Sequence, residues 1–128
     1  MRTLRALTLA LLLPANAIAG SLDGVWRIDG DSPDMLDLLY EANGFLFFIE
    51  LSNLPTGQLE GEWSDTAYGP INGNVASLTV YSTRKTESTT ITFSSATEGT
   101  VVINSCKPKV ATTTCPPINT PMIIRKVL

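Results

Sequence analysis

Carboxylates are the first residues in this chain that could do chemistry, because the sequence contains no histidine. Histidine-based triads and histidine-rich metal sites are excluded by that count. Asp29, Asp31, Asp34 and Asp37 crowd the stretch DGDSPDMLD, and Glu60 and Glu62 alternate with Leu59, Gly61 and Trp63. A carboxylate pair can act as general acid and base on a glycosidic bond, and a dense acidic run can hold calcium. The spacing fits neither chemistry. Pro33 interrupts the aspartate run, no calcium-loop pattern is present, and Glu60 and Glu62 alternate like the outward face of a strand. Both groups read as solvated side chains, so the chain is expected to be no enzyme and to carry no cofactor and no metal.

The two cysteines, Cys106 and Cys115, bracket CKPKVATTTC. An even count in an exported chain favours a disulfide over a reactive thiol, and two thiolates without histidine make a poor metal site. Export is expected from residues 1–19. They combine Arg2 and Arg5, an apolar stretch from Leu7 to Leu13, Pro14, and the small residues Ala17 and Ala19, which is the pattern of a cleaved secretory signal. The apolar stretch is shorter than a bilayer span requires, and no later segment supplies one. Residues 20–128 would then form one domain, secreted or periplasmic, and without Arg2 and Arg5 it holds 7 basic and 12 acidic residues. That acidic balance argues against a nucleic acid partner, and Arg84 with Lys85 and Lys107 with Lys109 are only small basic pairs.

The elements that must position these residues are strands. Beyond residue 20, β-branched and aromatic residues recur in short runs broken by glycine, proline and asparagine, and no segment keeps apolar residues at helical spacing. Eight strands are predicted, at 24–29, 35–42, 45–51, 58–63, 75–81, 89–93, 100–104 and 122–127. Between the second and third, Asn43-Gly44 supplies the two positive-φ residues of a type I′ hairpin. This turn sets Tyr40 opposite Phe47, Leu38 opposite Ile49 and Leu36 opposite Leu51, and these pairs are assigned to the inner face. LPTG at 54–57, YGPINGN at 68–74 and ATEG at 96–99 are read as further turns. The fold class is an all-β, eight-stranded antiparallel meander closed as a small barrel, since closure removes sheet edges. A small sandwich or a partly open barrel is the alternative.

GVW in the first strand and Arg125 in IIRKV of the last resemble the Gly-x-Trp opening and late arginine of the calycins, the lipocalin and avidin type of up-and-down barrel. The resemblance implies that Trp26 closes one barrel end and that Arg125 packs across its indole. A guanidinium over an indole face is a favourable cation–π pair.

On the face assigned to solvent, Leu39 stands opposite Phe48, Glu41 opposite Leu46 and Asp37 opposite Glu50. Met35, Leu39, Leu46 and Phe48 are the candidate interface, an apolar patch of the kind that marks an interaction site. The function expected is a secreted, non-enzymatic barrel that binds a protein or cell-envelope partner, or a second copy of itself, through its outer surface. Two alternatives stand beside it: a carrier of a small apolar ligand in the barrel mouth, and an inhibitor of a secreted or periplasmic hydrolase.

Overall fold

A computed structural model describes residues 21–31, 35–52 and 66–128. The expected signal segment, Asp34, Glu60, Glu62 and the strand expected at 58–63 lie outside the described residues. The strands are β1 (Gly24–Ile28), β2 (Met35–Ala42), β3 (Phe45–Ser52), β4 (Thr66–Asn72), β5 (Val75–Tyr81), β6 (Lys85–Phe93), β7 (Glu98–Pro108) and β8 (Met122–Lys126). Each pairs antiparallel with the next, and β8 returns to β1, so the sheet is a closed barrel. Among the described residues no helix is long and apolar enough to cross a membrane.

The hairpin register follows the turn chemistry. Asn43 and Gly44 adopt φ of 53° and 76°, and Ala42 pairs with Phe45, Tyr40 with Phe47 and Leu38 with Ile49, as the sequence requires. The faces, however, are exchanged. Leu39 and Leu46 are 1% and 0% exposed, whereas Leu38, Tyr40, Phe45 and Phe47 face solvent. The reason lies one strand away, where β1 places Trp26 directly opposite Asp37. Trp26 occupies the core, so its neighbour Asp37, and with it Leu39, must point inward too.

β4 runs through YGPIN, which by its glycine and proline reads as a turn. The chain reverses only at Gly73 and Asn74, the last part of the stretch read as a turn, with Asn72 paired to Val75. Gly69 is required here for space, since a Cβ at that position would lie 1.8 Å from the Ser77 carbonyl oxygen of β5. β6 and β7 are longer than expected, and their pairing shifts register between Ser88 and Thr89. Such an irregularity bends a strand locally.

The interior is aliphatic around two aromatic rings. Trp26 is fully buried, meets Phe93 edge to face at a centroid distance of 5.5 Å, and donates its indole N–H to the Leu22 carbonyl oxygen at 2.9 Å. These contacts fill the barrel end that carries the 43–44, 73–74 and 94–97 turns. Asn74 ties two of those turns together by donating Nδ2 to the Phe93 carbonyl at 3.0 Å.

Cys106 on β7 and Cys115 in the β7–β8 connection form a disulfide with a Cα separation of 5.8 Å. The same connection is held by Lys109, whose backbone N–H bonds the Arg84 carbonyl and whose ammonium bonds the Ser82 carbonyl, both at 2.8 Å. Closing a loop of this length stabilises by about 2–3 kcal/mol in the chain-entropy picture. A Cys106→Ala/Cys115→Ala variant is therefore expected to lose about that much in urea unfolding while keeping its far-UV spectrum. An unchanged denaturation midpoint would show that the other contacts of the connection already restrain it.

Candidate functional site

Two regions of the barrel carry side chains in arrangements that structure alone does not require: the mouth opposite Trp26, and the outer wall of β2 to β5.

The mouth is built by strand ends. Ile28 at the end of β1, Asp31 in the connection after it, Phe48 and Glu50 on β3, and Lys85, Glu87 and Thr89 on β6 line a partly open cavity of about 120 Å³. Its deeper wall is apolar, from Leu78, Val80, Ile91 and Met122. Glu87 is buried, accepts the Thr89 hydroxyl at 3.0 Å, and has the Lys85 ammonium 2.9 Å away. A pair so shielded from water is costly unless each charge is well satisfied. Across the barrel, Asp37 pairs with Glu50 in the β2–β3 ladder. Asp37 is 1% exposed, and its Oδ1 has no hydrogen-bond partner. Burial, then the neighbouring Glu50 and Asp31 charges, push its pKa up to about 8. Burial also raises the pKa of Asp31. Among the described residues, no group of three or more acidic or thiol side chains is placed to hold a metal ion.

The outer wall lies on the other side of the same strands. Its outward positions are Leu36, Leu38 and Tyr40 on β2, Phe45, Phe47, Ile49 and Leu51 on β3, Tyr68 and Pro70 on β4, and Val75, Ser77, Thr79 and Tyr81 on β5, with the remainder small or polar. None is charged. Four rings form a ladder across it: Tyr40 to Phe47 at 6.3 Å, Phe47 to Tyr68 at 6.0 Å and Tyr68 to Tyr81 at 4.9 Å. A hydrogen bond with the Tyr68 hydroxyl is the main cause of a raised Tyr81 pKa. Charges on the outer surface lie elsewhere, among them Arg27, Glu98 and Arg125 and the corner of Arg84, Lys107 and Lys109.

The residues singled out from sequence fall differently from expectation. Of the candidate interface, Leu39 and Leu46 are core residues, and Phe48 and Met35 are only partly exposed, with Phe48 packed against the core. The patch therefore cannot serve as the docking surface, and the exposed apolar residues are those of the opposite face. Trp26 does occupy the barrel interior, but Arg125 does not cover its ring. Arg125 pairs with Arg27 in the β1–β8 ladder and points outward, with its side chain half exposed between Asp29 and Glu98. The indole instead rests on Phe93, on the inner face. Arg84, Lys85, Lys107 and Lys109, which look like two separate pairs in sequence, converge at one corner because Lys85 pairs with Pro108 and Thr86 with Lys107.

Glu50, Glu87, Lys85 and Asp31 were not apparent as mouth residues. For Glu87 a signal existed: it shares parity with Ile91 and Phe93, so extending that strand four residues toward the amino terminus turns it inward.

Fold and site together define an eight-stranded up-and-down β-barrel with an aromatic plug at one end and an acidic mouth at the other. Comparisons with protein families, with curated proteins and with solved structures found no match to the chain.

The Asp37 environment sets a pH dependence with a definite sign. The folded-state pKa lies above the unfolded carboxyl value of about 3.9, so the folded state holds the proton more tightly. The stabilisation is complete below about pH 4 and is lost as pH rises through about 8. Thermal melts of the wild type should therefore fall between pH 5 and 9 more steeply than those of Asp37→Asn, and the variant should be the more stable protein at pH 9. Parallel curves for the two proteins would show that Asp37 does not carry the effect.

Proposed function

We propose that the protein is an exported, non-enzymatic binding module that engages a partner protein through the outer wall of β2 to β5. The observation that carries this reading is the uncharged wall with its ladder of four exposed rings, where Tyr40 is 55%, Tyr68 43% and Tyr81 53% exposed. Contiguous apolar surface of this kind is uncommon on a protein that has nothing to bind, and tyrosine and phenylalanine are enriched where partners dock.

The ladder geometry favours protein over other occupants. Neighbouring rings are tilted by 12° to 38°, and Phe47, Tyr68 and Tyr81 stack in succession. An anionic lipid surface needs cations, and the wall offers none among its outward positions. At the wall's lower edge Asp23 accepts the Glu41 backbone N–H at 2.7 Å, and both side chains are exposed acids. The matching surface is apolar with a basic group at its rim.

The disulfide supports an oxidising destination, periplasmic or extracellular. The strand order and the Gly-x-Trp opening support placing the chain with the calycin-like barrels, with Trp26 as interior plug.

A photo-crosslinking residue substituted for Phe47 in the full chain, expressed in its own host, tests the proposal. The expected result is one discrete protein adduct, absent from a Tyr40→Ser/Tyr68→Ser background that still folds. The purified adduct partner should then bind the wild type at least about tenfold more tightly than the double variant, the loss of about 1.4 kcal/mol that removing central aromatic contacts brings. Adducts only to a second copy, adducts only to lipid, or equal affinity of the two proteins would overturn it.

A further inference from the structure

The chain has three tyrosines, Tyr40, Tyr68 and Tyr81, and all three stand at exposed positions of the outer wall. In the ring ladder Phe47 lies between Tyr40 and Tyr68, whereas Tyr68 and Tyr81 meet directly. Their rings are tilted by 12° with centroids 4.9 Å apart, a stacked arrangement. The backbone sets this contact. Thr66 pairs with Tyr81 and Tyr68 with Thr79, so the two tyrosines are diagonal neighbours on one face of the β4–β5 ladder, within reach of each other's rings. Gly69, the residue after Tyr68, sits where a Cβ would meet the Ser77 carbonyl oxygen, so the two strands run close together beside the rings. A hydrogen bond with the Tyr68 hydroxyl raises the Tyr81 pKa, which puts the phenol ends together as well as the ring faces.

We propose that Tyr68 and Tyr81 form a site of oxidative crosslinking, at which hydrogen peroxide acting through a haem peroxidase joins the two rings as a dityrosine. Each phenol gives up one electron and its hydroxyl proton, leaving two phenoxyl radicals whose unpaired spin lies partly on the ring carbons next to oxygen. A bond between two such carbons forms along their π lobes, and stacked ring faces aim those lobes at each other. Each coupled carbon then loses its hydrogen as a proton while each oxygen regains one, which restores both aromatic rings. In sum, two ring hydrogens leave, and one hydrogen peroxide takes up the two protons and two electrons to become two waters. Tyr40 meets Phe47, which has no hydroxyl to oxidise, so within one molecule it lacks a coupling partner. The crosslink would tie β4 to β5 covalently across the outer wall. It lies on the surface proposed to dock a partner but does not depend on that docking.

Hydrogen peroxide with a haem peroxidase, added to the purified protein, tests the assignment. The expected product is a monomer lighter by two hydrogen atoms that shows dityrosine fluorescence, and the fraction converted per unit time should not change when the protein is diluted. Tandem mass spectrometry should place the bond between residues 68 and 81. Tyr68→Phe and Tyr81→Phe keep a ring at each position, so the wall stays packed, and each should abolish the monomeric product. Tyr40→Phe should leave its yield unchanged. Dityrosine found only in dimers, monomeric dityrosine that survives Tyr68→Phe or Tyr81→Phe, or a monomer whose tyrosines stay uncoupled under the oxidant would overturn the proposal.

Discussion

The pairing of the first strand with the last is the constraint on which the rest of the molecule depends. Val25 donates to the Leu128 carbonyl at 2.9 Å and Val127 donates to Val25 at 2.7 Å, so β1 is hydrogen bonded on both sides and the barrel has no open edge. The glycine of GVW makes this approach possible. A Cβ on Gly24 would lie 2.3 Å from the Leu128 carbonyl oxygen, and its φ of 147° is one that side-chain-bearing residues rarely adopt. Trp26, two residues on, then has a closed interior to fill. The short GVW segment thus joins the two ends of the sheet and packs the space that joining creates.

Closure also explains why one barrel holds both a hydrocarbon core and a buried acid. Side chains alternate in and out along every strand, so the ladder from Trp26 through Asp37 to Glu50 carries inward orientation from the plug to the mouth. The strands run obliquely, and successive residues of one ladder lie at different depths. Trp26 and Phe93 occupy the plugged end, and carboxylates join aliphatic residues in the lining of the mouth.

Strand periodicity and turn chemistry made the architecture legible. The Asn43-Gly44 turn fixed every β2–β3 pair, and the even spacing of short apolar runs pointed to eight strands in a meander. Two things were not legible. The β2–β3 hairpin is apolar on both faces, Leu39, Leu46 and Phe48 against Leu38, Tyr40 and Phe47, so hydrophobic alternation cannot say which side faces the core. Only the long-range pairing of Trp26 with Asp37 decides it, and no local pattern encodes that pairing. The second was β4, where Gly69 and Pro70 look like a break. Gly69 instead lets β4 and β5 approach too closely for a side chain at that position. Glu87 illustrates a third limit, because its inward orientation follows from parity only once the start of β6 is known.

Joining β1 to β8 also governs how the chain reaches its fold. Residues 26 and 126 are neighbours in the ladder although nearly the whole domain separates them along the chain. The entropy of closing so long a loop is spent before the contacts that reward it are made, which places such a topology among the slower folders. Until β8 docks, β1 presents a free edge and the plug residues Leu22, Trp26 and Phe93 have no complete cavity to occupy. The hairpins from β2 to β7 pair locally and can form first. Their outer aromatic ladder is then already assembled on an open sheet, which is the stage at which this protein is most exposed to association with its own incomplete copies.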